Sequence, residues 1–410
     1  MELTNGTYTI GGIPVNDMIS RHGAPVYVYD GNQVLNRIEE LRSAFPGEHV
    51  RIKYALKALN NPNILKLIKM AGEGLDAVSI QEVELGLKAG FAPSEILFTP
   101  NSVSFEELQR GVELGVHLNI DNIGMLERFG HTYGSSVPCC IRINPHIVAG
   151  GTAHIQTGHI DSKFGISIHQ MRHVLRVVES EKIKVNGIHM HTGSDILDAD
   201  AFVRGAEILF DAAMNFKDLE FIDFGSGFKV AYRDGDVTTD VVELGKTLSE
   251  RFDSFCNEYG KKLEIWFEPG KFLVSEAGTL LVKVNVIKQT TATVFAGVDS
   301  GQNHLLRPMF YEAYHHIINI SNPKGIPRIY TVVGYICETD TFGWDRKLNE
   351  VREGDILAIR NAGAYGYSMS NNYNSRPRPA EVLVYNGKDL LIRRGETLED
   401  LTRNVVMADF

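Results

Sequence analysis

The chain has 410 residues, of which 43% are hydrophobic and 22% charged, so its composition is that of a globular protein too long for one ordinary domain. The formal net charge of −10 argues against general binding to nucleic acid. The chain has no apolar run of about 18 residues, no signal-peptide pattern at 1–6 and no C-x-x-C pair among its four cysteines, so we expect a cytoplasmic protein without membrane contact or metal.

Short β-rich runs alternate with segments of helical pattern over the first two thirds of the chain. Eight such runs lie at 50–58, 74–79, 96–101, 116–121, 140–145, 185–191, 221–225 and 264–270. Helix-start signals with the spacing of a capping box occur at 79–82, 104–107 and 167–170. Strands that alternate with helices predict parallel βα units, and eight units predict a closed, TIM-like (β/α)8 barrel.

Chemically active side chains gather at the ends of these runs, which is where (β/α)8 barrels carry their chemistry. They are Lys57, Asp76, Asn101, Asp121, Arg142, His191, Gly225 and Glu268. Because side chains alternate along a strand, Lys57 is expected to face away from Tyr54 and Leu56. A lysine so placed is either a stem lying on the surface or an amine that forms a Schiff base with an aldehyde cofactor. The clustering favours an enzyme.

Two turns indicate which cofactor this is. Gly225-Ser226-Gly227 follows the seventh run, where such barrels often bind a phosphate, and it lacks the third glycine of a dinucleotide fingerprint. Glu268-Pro269-Gly270 ends the eighth run, and its buried carboxylate requires a cation such as a protonated pyridine nitrogen. With a lysine for the aldehyde and His191 for the ring face, these turns predict a pyridoxal 5'-phosphate site.

The chain changes character after the eighth run. Further β-rich runs follow without helices between them, at 280–287, 293–298, 329–333, 356–359 and 381–385. Residues 8–10 and 26–29 are expected to add strands to these, whereas 341–344 is interpreted as a loop. We therefore predict a barrel domain at 26–275 and a second, all-β domain, sandwich- or barrel-like, built from 1–25 and 276–410.

Nearly the whole chain resembles the barrel-type, fold type III family of pyridoxal-phosphate decarboxylases. The motifs that carry the resemblance lie at 54–58, 142–145, 162–165, 189–194, 268–270, 307–311, 337–338, 362–366 and, most specifically, 369–379. The resemblance implies a pyridoxal-phosphate-dependent carboxy-lyase. It also implies a homodimer in which Cys337, Glu338 and Tyr365 complete sites whose barrel residues come from the other chain.

The same resemblance implies roles for individual residues. The cofactor site comprises Lys57, His191, Ser194, Gly225, Ser226, Gly227, Glu268, Pro269, Gly270, Lys271 and Tyr365. The substrate site comprises Lys271, Arg307, Tyr311, Glu338 and Tyr365. Lys57, His191 and Cys337 are the catalytic candidates, with Cys337 and His191 as candidates for returning a proton to the substrate α-carbon.

Three positions depart from the family pattern. Lys271 stands where the family has arginine, which keeps the charge but loses the bidentate fork. Ser226 interrupts a turn that is usually all glycine. The segment at 99–102 replaces Gly-Asn-x-Lys and keeps only Asn101 in a comparable place.

Substrate choice is expected to depend on Arg307, Tyr311 and Glu338. Arg307 suggests a distal carboxylate bound bidentately, and Glu338 suggests an ammonium beside it. meso-2,6-Diaminopimelate has an amino-acid group at both ends, and its decarboxylation gives L-lysine and CO₂ in the last step of lysine biosynthesis. One alternative is a related decarboxylase that acts on D-ornithine, D-lysine or carboxynorspermidine. The other is a protein that holds pyridoxal phosphate without catalysis.

Overall fold

The computed structural model describes residues 1–147, 158, 161–197, 199–233 and 235–410. They divide into two compact units. The β-unit comprises Met1–Val34, Ala231–Asp236 and Val274–Phe410, and the barrel unit comprises Leu35–Val230 and Val237–Leu273. The domain boundaries that the sequence suggests, 26–275 for one domain and 1–25 with 276–410 for the other, remain predictions. Within the described ranges, no helix is long and apolar enough to cross a bilayer.

The barrel unit is a closed barrel of eight parallel strands. Barrel strands 1 to 8, in chain order, are Val50–Ala55, Gly74–Ala77, Ile96–Phe98, His117–Ile120, Cys139–Asn144, Val185–His189, Phe221–Asp223 and Glu264–Phe267. Each strand pairs in parallel with the next, and strand 8 pairs with strand 1. A two-residue strand, Ile166–Ser167, adds to strand 5. The predicted (β/α)8 barrel is confirmed.

Helices connect the barrel strands. The α-helices are Gly31–Ala44, Pro62–Met70, Ile80–Lys88, Phe105–Leu114, Ile123–Tyr133, Met171–Glu181, Ala199–Ala213, Val241–Tyr259 and Lys271–Val274. Short 3-10 helices lie at Leu56–Ala58, Pro93–Glu95 and Ile168–Gln170. Eight strands and their helices account for the alternating pattern of the first two thirds of the sequence.

The capping-box spacing predicts where helices start, but it predicts the hydrogen bonds of the first turn less well. Ser79 Oγ accepts from the backbone N–H of Glu82 as expected, but the Glu82 carboxylate accepts from Val78 and not from Ser79. Ser167 caps a 3-10 helix, so the α-helix that follows begins only at Met171. The predicted hydroxyl caps at Ser79 and Ser167 are therefore confirmed, but the predicted return bond from the side chain three residues later is wrong at both serines.

The amino-terminal half of the barrel interior is filled with apolar and aromatic groups. Phe221 and Trp266 stack with their ring centroids 3.6 Å apart, and they form one buried cluster with Leu97 and Cys140 from strands 3 and 5. The Lys53 ammonium lies 4.1 Å from the Trp266 ring centroid. Strands that are not neighbours in the sheet touch only across the interior, so these side chains point inward. Residues two positions further along each strand point inward as well, nearer the carboxyl ends.

The β-unit contains a mixed sheet of nine described strands. They are Val26–Asp30, Gly278–Gln289, Val294–Val298, Ile317–Asn319, Pro327–Val333, Thr341–Asn349, Ile356–Arg360, Ala380–Tyr385 and Lys388–Arg393. The long strand Gly278–Gln289 pairs with Val26–Asp30 and Ile356–Arg360 through its first half, and with Val294–Val298 through its second. The five predicted strands of this region and the strand at 26–29 are confirmed.

Two expectations for the β-unit are wrong in part. The segment at 341–344 is the start of strand Thr341–Asn349 and not a loop. Residues 8–10 do form a strand, Thr7–Ile10, but it belongs to a separate three-stranded sheet with Glu2–Thr4 and Ile13–Pro14. The remaining helices of this unit are Val15–His22, Arg307–Phe310 and Leu398–Thr402, with 3-10 helices at Tyr367–Met369 and Tyr373–Ser375.

Candidate active site

Lys57 lies immediately after barrel strand 1, in the 3-10 helix Leu56–Ala58. The expected strand alternation is therefore wrong beyond Ala55, because the backbone turns there. The Lys57 side chain is 40% exposed, and its Nζ donates to Asp76 Oδ2 at 3.2 Å. Thr99 also donates to the buried Asp76 carboxylate. The amine is thus oriented by a buried carboxylate and remains accessible to a ligand.

The Gly225-Ser226-Gly227 turn requires glycine at both of its ends. Gly225 has φ 62° and Gly227 has φ 135°, values that favour glycine. A Cβ on Gly225 would lie 2.6 Å from the Met190 carbonyl oxygen, and one on Gly227 would lie 2.5 Å from that of Gly193. The turn therefore packs directly on the segment that follows barrel strand 6. Ser226, where the family has glycine, is accommodated at the middle position.

His191 is held against this turn. The Ser226 N–H donates to His191 Nδ1 at 3.3 Å, so in the neutral imidazole the proton is on Nε2. Burial, reinforced by the positive charges of Arg142 and Lys57, lowers the pKa of His191 well below its usual value. The ring is therefore neutral near pH 7. A neutral imidazole suits stacking on an aromatic ligand better than donation of a proton to carbon.

Lys271 forms an ion pair that sequence reasoning missed. Its Nζ donates to both carboxylate oxygens of Asp195, at 2.9 and 3.0 Å, and its side chain is 10% exposed. The Ile196 N–H donates to the Gly227 carbonyl at 2.8 Å, which places the partly buried Ser194 and its neighbour Asp195 beside the glycine turn. An acidic residue directly after Ser194 was the available signal.

Buried carboxylates collect at the carboxyl ends of strands 2, 7 and 8. Asp76, Asp223 and Glu268 are 0%, 0% and 6% exposed, and His189 Nε2 lies 3.0 Å from Glu268 Oε2. Asp223 Oδ1 accepts from the Gly225 N–H at 2.8 Å. Burial raises the pKa of all three carboxyl groups and lowers the pKa of His189. A cation beside Glu268 would be strongly stabilised in these surroundings.

The turn after Glu268 packs against the turn that carries Lys57. The Pro269 carbonyl accepts from the Ala55 N–H at 3.3 Å, and a Cβ on Gly270 would lie 3.0 Å from the Ala58 Cβ. Glycine at 270 therefore favours this close approach, since a side chain there would press on Ala58. The contact fixes the two ends of adjacent barrel strands that carry the candidate lysine and the candidate glutamate.

Asn101, Asp121 and Arg142 occupy three further strand ends. Asn101 donates to Asp121 and, at 3.2 Å, to the Lys163 carbonyl. The Arg142 guanidinium is buried, 4.8 Å from the Phe164 ring centroid, and burial lowers its pKa. Arg142 supplies positive charge to the acidic interior.

The other predicted site residues lie in the β-unit. Arg307 is 7% exposed, and it donates from Nη2 to the Tyr232 hydroxyl at 3.2 Å and from Nε to His315 Nε2 at 3.4 Å. The Tyr311 ring centroid lies 6.0 Å from its guanidinium carbon. In the part of the chain that the structure describes, no carboxylate pairs with Arg307. Burial and this guanidinium lower the pKa of His315 to about 3, so the ring beside Arg307 is neutral.

Cys337, Glu338 and Tyr365 also lie in the β-unit. Cys337 is exposed, with its Sγ 3.1 Å from the Nδ2 of Asn374, and Glu338 accepts from the Tyr373 hydroxyl at 3.0 Å. Tyr365 has φ 56°, which is uncommon for a residue with a side chain. Backbone strain of this kind often accompanies a binding or catalytic role.

A lysine, a glycine turn and a buried glutamate at the carboxyl end of a (β/α)8 barrel define a pyridoxal-phosphate enzyme of the barrel class. Residues 31–275 match the family described as pyridoxal-dependent decarboxylase, pyridoxal binding domain. The chain is 40% identical to the diaminopimelate decarboxylase of Methanothermobacter thermautotrophicus, over 97% of this chain and 95% of that one. It is 34% identical to that of Bacillus subtilis, over 97% and 95%. The chain belongs to the diaminopimelate decarboxylase family.

Solved structures agree with this membership. The diaminopimelate decarboxylase of M. jannaschii superposes with a TM-score of 0.91 at 31% identity, covering 99% of this chain and 98% of that one. The Helicobacter pylori enzyme, solved in complex with L-lysine, gives a TM-score of 0.87 at 32% identity, covering 95% and 98%. The predictions of a carboxy-lyase that depends on pyridoxal phosphate are confirmed.

The barrel residues fit that cofactor. The 225–227 turn packs on the segment after barrel strand 6 because it has no side chains at its two ends, and a glycine-rich turn at this place in a barrel suits a phosphate. Three buried carboxyl groups provide an environment that favours a pyridinium over a neutral pyridine. Lys57 is both oriented and accessible. The 225–227 turn therefore suits the phosphate, the buried carboxyl groups suit the ring nitrogen, and Lys57 suits the aldehyde.

Proposed function

We propose that this protein decarboxylates meso-2,6-diaminopimelate to L-lysine and CO₂, the last step of lysine biosynthesis. The observation that carries the substrate is the buried Arg307 guanidinium, which lacks a carboxylate partner among the described residues. Buried charges in proteins are normally paired, so Arg307 is suited to a carboxylate brought by the substrate. Diaminopimelate has a second carboxylate at its distal end, whereas ornithine has only an ammonium there.

Several residues of the barrel would hold the cofactor. The Lys57 amine would bind the aldehyde carbon, and the 225–227 turn with Ser194 would bind the phosphate together with Tyr365 of the partner subunit. Glu268 would bind the protonated ring nitrogen, and His191 would stack on the ring. Bound pyridoxal phosphate supplies an aldehyde that takes up the substrate amine and a ring that accepts the electron pair left when CO₂ departs.

The chain's own groups perform the remaining tasks. Glu268 keeps a proton on the ring nitrogen by placing negative charge beside it. Asp76 holds the Lys57 amine at 3.2 Å and so orients it. The α-carbon needs a proton after CO₂ leaves, and Cys337 is the favoured donor because the His191 ring is neutral and accepts the Ser226 N–H.

We further propose a cytoplasmic homodimer with shared sites. The family resemblance supports the dimer, and the exposed Cys337 thiol supports it as well, since proton delivery to carbon benefits from a site that excludes water. The four cysteines are free thiols, which suits a reducing compartment.

Mixing Lys57→Ala protein with Cys337→Ala protein should restore activity by forming one intact site per mixed dimer. Two inactive variants that stay inactive after subunit exchange would contradict the shared site.

The substrate is tested by measuring CO₂ release from meso-diaminopimelate with and without added pyridoxal phosphate. D-Ornithine, D-lysine and carboxynorspermidine serve as competing substrates in the same assay. We expect cofactor-dependent release with the highest kcat/KM for meso-diaminopimelate and L-lysine as the product. A higher kcat/KM for any of the three competitors would overturn the proposal.

Arg307→Ala is expected to raise KM for meso-diaminopimelate by at least about 30-fold, because loss of one partner of a buried charge pair costs about 2 kcal/mol or more. The cofactor should remain covalently attached, since Arg307 would contact only the substrate. Steady-state kinetics and the visible spectrum of the variant give the two readouts. Arg346→Ala is a matched control, because Arg346 is half-buried against the Tyr314 ring in the same unit. Equal KM values for parent and Arg307→Ala would contradict this role.

Asp195→Asn is expected to tighten cofactor binding by about fivefold, the scale of a partly exposed charge pair of about 1 kcal/mol. Asp195 pairs with the Lys271 ammonium, which stands where the family's arginine contacts phosphate, so neutralising Asp195 frees that positive charge. The dissociation constant is measured by titrating resolved enzyme with pyridoxal phosphate, and the gain should shrink at high salt. Asp211→Asn, an exposed change on helix Ala199–Ala213, is the control. Weaker cofactor binding by Asp195→Asn would contradict this prediction, because it would mean that the Lys271–Asp195 ion pair stabilises the cofactor site.

A further inference from the structure

Two oxygens of neighbouring buried carboxyl groups face no donor. Asp223 Oδ2 and Glu268 Oε1 are buried, and neither has a hydrogen-bond partner among the residues that the structure describes. Their other oxygens are bonded, Asp223 Oδ1 to the Gly225 N–H at 2.8 Å and Glu268 Oε2 to His189 Nε2 at 3.0 Å. One ligand atom from each of Asp223, Glu268 and His189 lies within 4.8 Å of the others. Two ionised carboxylates this close and this buried would repel strongly.

We propose that Asp223 carries a proton in the working enzyme and donates it in a hydrogen bond from Oδ2 to Glu268 Oε1. This inference rests on the proposed function and deepens it. A single proton removes one buried negative charge and gives both unpartnered oxygens a bond. The bond balances directly, since Asp223 is the acid and donates while the Glu268 carboxylate accepts.

The proton belongs on Asp223 because of the charges around each carboxyl. The Asp223–Glu268 pair faces the following titratable groups: Asp76, Lys53, Lys57, Cys140, Arg142 and His189. Burial, with the negative charges of Glu268 and Asp76, raises the pKa of Asp223 well above its usual value. The Gly225 N–H and Lys53 lower the pKa of Asp223, but by less. Burial also raises the pKa of Glu268, but Lys57 and Arg142 oppose it there. Glu268 is therefore the member of the pair that stays ionised.

Two other groups beside the carboxyl pair, Cys140 and His189, are also neutral. Burial raises the pKa of the Cys140 thiol, so that group stays protonated, and burial with Arg142 lowers the pKa of His189, so that ring stays neutral. A neutral His189 donates its Nε2 proton to Glu268. The glutamate thus receives two hydrogen bonds from neutral donors, one from the end of barrel strand 6 and one from the end of barrel strand 7.

These two donors tune what Glu268 does. A carboxylate that accepts two hydrogen bonds is a weaker base, so it attracts a proton on the ring nitrogen without removing it. Each oxygen keeps a second lone pair for that contact. Asp223 also accepts from Gly225, so one side chain orients both the glutamate and the turn for the phosphate. Asp223 and His189 are positioning residues that act through Glu268.

Asp223→Asn is the decisive variant, because asparagine mimics a protonated aspartic acid. Its amide nitrogen can donate to Glu268, and its oxygen can accept from Gly225. We expect kcat within about tenfold of the parent for Asp223→Asn and a loss of at least about 100-fold for Asp223→Leu, which keeps the volume without the donor. The pH dependence of the bound cofactor's absorbance should match the parent in Asp223→Asn and should differ from the parent in Asp223→Leu.

Infrared spectroscopy of the cofactor-bound protein tests the proton directly. The parent should show a carbonyl band of a protonated carboxylic acid that shifts in D₂O, and Asp223→Asn should lack it. Asp76→Asn is the matched control and should keep the band, because Asp76 pairs with Lys57. A band that survives in Asp223→Asn, or an asparagine variant as impaired as Asp223→Leu, would overturn the proposal.

This readout is separate from the choice of substrate. The infrared band is recorded without substrate, so it can be present even if meso-diaminopimelate is not decarboxylated. The competing outcome is a divalent metal held by the same three side chains, because imidazole and carboxylate are metal ligands. A stoichiometric metal in the purified holoenzyme, with its removal changing the bound-cofactor spectrum, would overturn the shared proton.

Discussion

Lys57→Ala is expected to lower CO₂ release from meso-diaminopimelate by more than about 1000-fold, since removal of a covalent group costs at least that much in enzymes of this kind. The alanine variant also loses the group through which the cofactor is attached. Borohydride reduction of the parent, followed by peptide mapping, should place the label on residue 57, and the variant should carry no label. An active Lys57→Ala protein, or a label elsewhere in the parent, would contradict the assignment.

Lys53 provides the matched control for this experiment. It lies four residues earlier on the same barrel segment, and its ammonium contacts the Trp266 ring at 4.1 Å. Burial lowers the pKa of Lys53 to about 8, which makes it the more reactive amine by that criterion alone. Lys53→Met should nevertheless keep the label at 57, because the amino-terminal half of the interior is filled with packed aromatic groups. Accessibility, and not pKa, is therefore expected to select the reactive lysine.

The sequence predicts the barrel well because apolar runs alternate with helical segments, two of which begin at the hydroxyl caps Ser79 and Ser104. The positions of Lys57, the 225–227 turn and Glu268 follow from the rule that strand ends converge at one face of the barrel. His189, Asp223 and Asp195 were missed for a common reason. Each lies within two residues of a recognised position, and only the three-dimensional contacts show whether such a neighbour points into the site.

The missed strands of the β-unit have a different cause. Lys388–Arg393 is a largely exposed hairpin partner with charges at three of its six positions. Thr341–Asn349 contains the left-handed residue Asp345 and a run of polar side chains, a pattern typical of a loop. Both segments become strands because a neighbouring strand supplies the hydrogen bonds, and a single-sequence pattern does not contain that information.

Glu268→Gln is expected to keep the cofactor bound and to lose about 100- to 10,000-fold in kcat, the range over which a positioned acid–base group acts. Glutamine preserves the volume of residue 268 but accepts at only one of its two terminal atoms, and it removes the charge that keeps a proton on the ring nitrogen. Without that proton the electron pair left by CO₂ has no stable destination. The measurement is kcat together with the cofactor dissociation constant, of which only kcat should change strongly.

The most informative comparison sets Glu268→Gln beside Asp223→Asn. Both changes convert a buried carboxyl group into its amide, at the ends of adjacent barrel strands, and each of the two side chains has one oxygen without a partner among the described residues. A general effect of burying an amide would impair the two variants alike. If Glu268 is the ionised member and Asp223 the protonated one, only the glutamine variant loses turnover. Near-normal decarboxylation by Glu268→Gln would contradict the role of this carboxylate, whatever the asparagine variant does.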